Sequence, residues 1–216
     1  MVLTVSMMCA DYGILGAEVE SLDRAGADMF HIDVMDGRYV PNFALGPQDI
    51  GCIRKHTRKP VDVHLMIEEP GRWIKYFAGL GADIIYIHPD SEHHPARTLG
   101  DIRALGLSPG VAVNPGVAAG SVRELLPLCD WVLLMTVNPG FAGQAFIPHM
   151  AKKAEGFASL SSSHSFRLAA DGALSPPVIT DLHARGVESF VLGTSSIFGG
   201  EKNYSEGIKT LREIYK

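Results

Sequence analysis

The fold is decided by Ala25-Gly26-Ala27-Asp28-Met29-Phe30-His31-Ile32-Asp33-Val34-Met35, a stretch that joins the end of a helix to a buried strand. Gly26 is typical of the residue that closes a helix, and the largely apolar run after it has the length of a strand. Two later apolar runs are preceded by similar phrases, Leu80-Gly81-Ala82-Asp83 and Arg185-Gly186-Val187-Glu188. The chain therefore repeats one connection from helix to strand, which predicts parallel strands.

Eight short apolar runs of this kind occur along the chain, each followed by a turn and then a helix-like pattern. Eight such units indicate closure of the parallel sheet into a barrel. An open Rossmann-type sheet is the alternative, but Met7-Met8-Cys9-Ala10-Asp11 stands where that fold needs GxGxxG. We therefore predict an α/β fold, a single (β/α)8 TIM barrel over residues 1–216. Its predicted strands are Leu3–Met8, Met29–Met35, Val61–Ile67, Ile84–His88, Gly110–Asn114, Trp131–Val137, Phe166–Asp171 and Ser189–Gly193.

Composition narrows the class of protein. A chain of 216 residues, 46% of them hydrophobic, can bury one core but has no room for a second catalytic domain. The formal net charge of -5 and the dispersed Lys and Arg argue against nucleic acid as a partner. The apolar N-terminus is short and lacks a basic leader, and no run approaches membrane-spanning length. For these reasons we expect no membrane partner. Because Cys9, Cys52 and Cys129 show no CxxC spacing, we expect reduced thiols and a cytoplasmic location.

Four polar residues occupy positions that face the interior of the predicted barrel. The two-residue period of a strand places His31 and Asp33 on one face and the apolar residues between them on the other. By the same period His64 points inward from the third strand, and Asp171 ends the seventh. A single inward His is more often a hydrogen-bonded core residue, and a single strand-end Asp is often a helix cap. Together, however, two imidazoles and two carboxylates form a suitable shell for a divalent cation.

Two other polar segments have simpler interpretations. The cluster His88, His93 and His94 follows the fourth strand in a polar stretch, so we expect these side chains to be solvated. The run Ser159–Ser165 is low in complexity and predicts a surface connection before the seventh strand.

Small residues follow three consecutive strands, the sixth, seventh and eighth. The sixth strand leads into Asn138-Pro139-Gly140-Phe141-Ala142-Gly143-Gln144, the seventh into Asp171-Gly172-Ala173 and the eighth into Gly193-Thr194-Ser195-Ser196. Tight turns would explain each loop alone. The loops after strands seven and eight are nevertheless the usual phosphate site of such barrels. Because small residues occur in all three loops, the sequence favours a phosphorylated ligand.

Several phrases in combination resemble the ribulose-phosphate 3-epimerase family, and the resemblance runs from Ser6 to about Phe198. The phrases are His31-Ile32-Asp33-Val34-Met35-Asp36-Gly37, Val40-Pro41-Asn42, Asp62-Val63-His64-Leu65-Met66 and Met135-Thr136-Val137-Asn138-Pro139-Gly140-Phe141. The resemblance implies the ribulose-phosphate-binding type of barrel and an isomerase that inverts C3 of a phosphorylated ketose by two-base proton transfer.

The resemblance also implies roles for individual residues. One divalent metal ion, Zn, Fe(II), Mn or Co, would be held by His31, Asp33, His64 and Asp171, with Asp33 and Asp171 as the acid/base pair. The substrate would be contacted by Ser6, His64, Met35, Met66 and Met135. Its phosphate would be held by Gly140, Phe141, Ala142, Gly143, Gly172, Ala173, Gly193 and Thr194. We expect no nucleotide or flavin cofactor, and we expect a homo-oligomer.

The substrate is predicted from residues that differ from those usual in the family's motifs. Many pentulose-phosphate members of the family have other residues in place of Cys9, Ala142, Ala173 and Thr194, and this chain looks more like the allulose-6-phosphate 3-epimerase branch. We therefore expect D-allulose 6-phosphate and D-fructose 6-phosphate, with the D-ribulose 5-phosphate and D-xylulose 5-phosphate pair as the alternative. A non-catalytic sugar-phosphate sensor would not need both aspartates, and a decarboxylase of the orotidine-phosphate type needs a DxKxxD array that this sequence lacks.

Overall fold

The computed structural model describes residues 1–199 and 203–213, which contain a closed barrel of eight parallel strands. Each strand pairs with the next along the chain, and the eighth pairs with the first. The predicted (β/α)8 barrel is therefore confirmed. Its strands are β1 Val2–Ser6, β2 Met29–Met35, β3 Val61–Met66, β4 Ile84–Ile87, β5 Ser108–Val113, β6 Trp131–Met135, β7 Arg167–Asp171 and β8 Ser189–Leu192.

Seven α-helices and one long 3-10 segment cover the outside of the barrel in the described ranges. The 3-10 segment, Ala119–Leu128, replaces an α-helix between β5 and β6 and contains Pro127, which has no N–H for a helical hydrogen bond. Shorter 3-10 turns lie at Met7–Cys9, Tyr12–Ile14, Pro70–Arg72 and Pro89–Ser91, and a single π-helical turn lies at Thr194–Phe198. The helices are α1 Leu15–Ala25, α2 Pro47–His56, α3 Ile74–Gly79, α4 Pro95–Ala104, α5 Met150–His164, α6 Pro176–Ala184 and α7 Tyr204–Glu213. Within the described part of the chain, none of them is both long and apolar enough to cross a membrane.

The serine-rich run was wrongly predicted as a loop. Helix α5 continues through it to His164, and Ser165 closes the helix in the left-handed region at φ 58°. The Ser159 hydroxyl donates to the Glu155 carbonyl at 2.8 Å, and the Ser163 hydroxyl donates to that of Leu160 at 2.9 Å. Because these hydroxyls bond to helix carbonyls, serine is compatible with the helix in this run.

Large side chains fill the barrel interior toward the amino ends of the strands, and ionisable side chains converge at the carboxyl ends. At the amino end Arg167 lies over the Trp131 ring at 4.5 Å. Above it the fully buried Tyr86 fills space that Gly110 leaves open, since a Cβ on Gly110 would lie 2.3 Å from Tyr86 Cδ1. The lumen is thus filled below its midpoint, and polar side chains that point inward converge at the carboxyl end.

Candidate active site

The four predicted metal ligands come together at the carboxyl end of the barrel. Asp33 on β2 lies beside His64 on β3 in the strand register, as Asp171 on β7 lies beside Met135 on β6. Asp33 Oδ1 is 3.1 Å from His31 Nε2 and 3.2 Å from His64 Nδ1. Asp171 Oδ2 is 4.0 Å from His31 Nε2. One ligand atom from each residue lies within 4.8 Å of all the others.

This donor set fits a divalent cation. Bonds of about 2.1 Å from a metal to nitrogen or oxygen place adjacent donors roughly 3 Å apart, close to the two shortest distances in the cluster. Two imidazole nitrogens and two carboxylate oxygens suit Zn, Fe(II), Mn and Co alike, so the donor types do not select among them. His31, Asp33 and His64 are buried, and the Asp171 side chain is 17% exposed to the cavity above.

Asp62 orients one of the two imidazoles and was not predicted as a site residue. Its Oδ1 lies 2.5 Å from His31 Nδ1, so the other ring nitrogen of His31 is directed toward Asp33. Burial lowers the pKa of His31, but the charges of Asp62 and Asp33 outweigh burial and raise that pKa well above its usual range. The signal was present in the sequence, because Asp62 lies two residues before His64 and therefore on the same face of β3.

His88 contacts the second imidazole, and its prediction as a solvated residue was wrong. The side chain is fully buried, and its Nε2 lies 2.8 Å from His64 Nε2. Burial and the neighbouring charge of His64 both lower the pKa of His88 well below its usual range. His93 and His94 are exposed, as predicted. The three histidines differ because His88 follows β4 on the inward face that Tyr86 occupies, whereas the other two lie beyond the turn Pro89–Ser91.

The two predicted acid/base residues have opposite electrostatic environments. Burial raises the pKa of Asp33, but His31 and His64 outweigh burial and hold that pKa well below its usual range. Burial raises the pKa of Asp171 to about 6, and the negative charge of Asp33 contributes to the same shift. Thr136 also holds the Asp171 backbone, since its N–H and hydroxyl donate to the Asp171 carbonyl at 2.7 and 3.0 Å. Without a bound cation, the pair thus combines a carboxylate whose pKa is lowered with one whose pKa is raised.

A cleft that contains about 570 Å³ of space, part of it open to solvent, lies above these carboxylates and forms the cavity of this site. Ser6 borders it, and the Ser6 hydroxyl donates to Asp33 Oδ2 at 2.9 Å. Met35, Met66 and Met135 line the wall beside the aspartates, as predicted, and give this end of the cavity an apolar surface. His64 is fully buried and lies outside the cavity lining, so its contact with substrate stays a prediction.

The predicted phosphate loops form the opposite end of the same cavity. All eight predicted residues line it: Gly140, Phe141, Ala142, Gly143, Gly172, Ala173, Gly193 and Thr194. Gly172 has φ 109°, and a Cβ there would lie 2.5 Å from Val137 Cγ2, so this position needs glycine. Ala173 has φ 51°, a left-handed conformation that is strained for alanine and is often found at functional sites.

Side-chain hydrogen bonds hold the loop after β6 in place. Gln144 Nε2 donates to the carbonyls of Asn138 and Phe141 at 2.6 and 2.9 Å, which closes the loop on itself. Asn42 Nδ2 donates to the Gly140 carbonyl at 2.7 Å and joins this loop to the one after β2. The loop after β6, which borders the predicted phosphate end, is therefore tied to the loop that follows the strand carrying His31 and Asp33.

The sequence over residues 2–198 matches the model of the ribulose-phosphate 3 epimerase family. The chain belongs to this family. It is therefore an isomerase, an epimerase of phosphorylated ketoses. The epimerase is 40% identical to a ribulose-phosphate 3-epimerase from Synechocystis over 98% of its own length and 93% of that protein's. It is 45% identical to one from Bacillus subtilis over 68% of each chain. It is 36% identical to the chloroplastic ribulose-5-phosphate-3-epimerase of Arabidopsis thaliana over 98% of its length and 76% of that protein's.

Solved structures of lower identity share the fold of the epimerase. KGPDC from Streptococcus mutans superimposes with a TM-score of 0.77 at 13% identity, over 99% of this chain and 98% of that one. Thiamine phosphate pyrophosphorylase from Pyrococcus furiosus gives a TM-score of 0.68 at 14% identity, over 100% of this chain and 97% of that one. At these identities the likeness concerns the barrel alone.

The four residues from which a hexulose phosphate was predicted lie at the cavity, as expected. Cys9, Ala142, Ala173 and Thr194 all line it. Burial, with a contribution from Asp33, raises the pKa of the Cys9 thiol to about 11, so this side chain stays neutral. The three relatives above nevertheless carry the pentulose name, so the expectation of a hexulose phosphate is not supported and the alternative fits better.

Proposed function

We propose that the epimerase interconverts D-ribulose 5-phosphate and D-xylulose 5-phosphate by inverting the configuration at C3. The observation that carries this proposal is the shared cavity, which Asp33 and Asp171 border at one end and the loops after β6, β7 and β8 border at the other. A phosphorylated ketose bound along it would present its C2–C3 region to the carboxylates. The names of the relatives at 36–45% identity support the five-carbon pair.

Inversion at C3 requires that a proton leave one face of the carbon and that another arrive on the opposite face. Asp33 and Asp171 come from strands β2 and β7, so they can flank a substrate between them. One aspartate takes the proton from C3, while the other delivers a proton to the opposite face. In the reverse direction the two residues exchange these tasks.

A divalent cation held by His31, Asp33, His64 and Asp171 would supply Lewis-acid stabilisation of the negative charge that develops on the substrate oxygens. Ser6 holds Asp33 in place through Oδ2 and lies where it can also contact the substrate. Met35, Met66 and Met135 exclude water beside the reacting carbon, which strengthens the electrostatic interactions there. Metal identity and assembly into a homo-oligomer stay predictions.

The substrate is tested by kcat/KM for D-ribulose 5-phosphate and D-allulose 6-phosphate on one metal-loaded preparation. Because Asp33 is held by β2 and the phosphate loops follow β6, β7 and β8, a substrate with one more carbon misplaces C3 relative to the carboxylates. A misplacement of about 1 Å costs on the order of 100-fold in rate, so we expect the pentulose phosphate to be preferred by roughly that factor. A preference for the hexulose phosphate would contradict the proposed substrate and leave the reaction at C3 intact.

A further inference from the structure

We propose that His88 is a positioning residue that sets the tautomer of His64 and so turns the lone pair of His64 Nδ1 toward the centre of the ligand cluster. This inference rests on the proposed metal site. The two imidazoles are both fully buried, their Nε2 atoms are 2.8 Å apart, and their ring centroids are 5.0 Å apart.

A hydrogen bond between two imidazole nitrogens has only two arrangements, because one nitrogen must carry the proton and the other must accept it. If His88 donates, the proton of neutral His64 lies on Nδ1 and points at Asp33 Oδ1, which is 3.2 Å away. That arrangement puts hydrogen where a cation would bind. If His64 donates from Nε2, its Nδ1 offers a lone pair to the cation, and His88 must then carry its own proton on Nδ1.

A cation bound at His64 Nδ1 requires the second arrangement, and the surroundings of His88 support it. Its Nδ1 is buried, has no hydrogen-bond partner among the described residues, and lies 3.9 Å from Asp90 Oδ1. A carboxylate on that side of the ring attracts a proton to Nδ1. Proton placement on Nδ1 leaves the Nε2 lone pair free to accept from His64.

The Asp90 carboxylate is itself held by two donors. The Tyr39 hydroxyl donates to Asp90 Oδ1 at 3.1 Å, and Asn114 Nδ2 donates to Oδ2 at 3.1 Å. The Tyr39 ring also packs against His88 with centroids 4.8 Å apart, which limits rotation of the imidazole. An ordered chain of contacts therefore runs from Asp90 through His88 to His64.

The test compares His88→Leu with His88→Gln in the full-length protein, with Zn²⁺ affinity measured by chelator competition and Co²⁺ binding followed by its absorption spectrum. Leucine leaves the His64 Nε2–H without an acceptor, so we expect affinity to fall about 10- to 100-fold. Glutamine offers Oε1 as an acceptor, so we expect affinity within about threefold of the unaltered protein and a similar Co²⁺ spectrum. Circular dichroism and thermal unfolding show whether each variant is folded.

Two results would overturn the positioning role: unchanged affinity in His88→Leu, or equal losses in the two variants. Nitrogen-15 NMR of the unaltered Zn²⁺-loaded protein gives a second readout that does not depend on any variant. We expect protons on Nε2 of His64 and Nδ1 of His88, and the opposite placement contradicts the inference. If the unaltered protein binds neither Zn²⁺ nor Co²⁺, the proposed metal site fails together with this inference. If the unaltered protein binds Zn²⁺ and the His88→Leu variant binds it with the same affinity, only the positioning role is rejected.

Discussion

Replacement of Asp171 by asparagine is expected to lower kcat for epimerisation by about 10²- to 10⁴-fold, the usual contribution of a positioned acid or base. Asparagine keeps the shape of the side chain but cannot carry the transferred proton. Asp33→Asn is expected to have an effect of the same order, because either residue alone completes only half of the inversion. Steady-state kinetics with D-ribulose 5-phosphate checks both variants.

Metal content must be measured beside these rates, because both aspartates are also candidate ligands. A loss of activity at full metal occupancy assigns the effect to proton transfer. Asp101→Asn is the matched control, since Asp101 is exposed on α4 away from the cavity, and we expect a rate within about twofold of the unaltered enzyme. Near-normal epimerisation by both active-site variants would exclude the two-base assignment.

Removal of the metal by prolonged chelation is expected to lower turnover by about 10³-fold, and addition of a divalent cation is expected to restore it. The physical reason is that Lewis-acid stabilisation of developing charge contributes several kcal/mol, where each 1.4 kcal/mol corresponds to about tenfold in rate. His64→Ala deletes one donor of the cluster and is expected to reduce bound metal in the protein as purified. Elemental analysis and kinetics on the same samples check both effects.

The matched control for this second prediction is His93→Ala. His93 is exposed beyond β4, so its loss is expected to leave metal content and turnover unchanged. Full activity in protein shown by elemental analysis to be free of metal would contradict the metal-assisted mechanism.

The barrel and the core of its site could be predicted because buried strands impose a strict two-residue period on the sequence. That period alone predicts that His31, Asp33 and His64 point inward. The same period also places Asp62 and His88 inward, and both were missed for a physical reason. The period shows on which face of a strand a side chain lies. It does not show which side chains of neighbouring strands are in contact, as Asp62 is with His31 and His64 is with His88.

Local composition was a weaker guide where tertiary structure decides. The serine-rich end of α5 forms a helix because its hydroxyls bond to helix carbonyls, an option that low complexity alone does not reveal. Cys9, Ala142, Ala173 and Thr194 were correctly placed at the cavity, but their identities do not convert into a distance between carboxylate and phosphate. Substrate size depends on that distance. For this reason the four residues are a weaker guide to the sugar than the motifs are to the reaction.

The exchange of the C3 proton with solvent tests the two-base epimerase most directly. D-Ribulose 5-phosphate is incubated with the metal-loaded enzyme in heavy water, and early product is analysed by proton NMR and mass spectrometry. Because one residue removes the proton and a different, solvent-equilibrated residue supplies its replacement, we expect D-xylulose 5-phosphate with one deuteron at C3. Product that forms at the same rate but retains the original hydrogen at C3, or an absence of both product and exchange, would contradict inversion through Asp33 and Asp171.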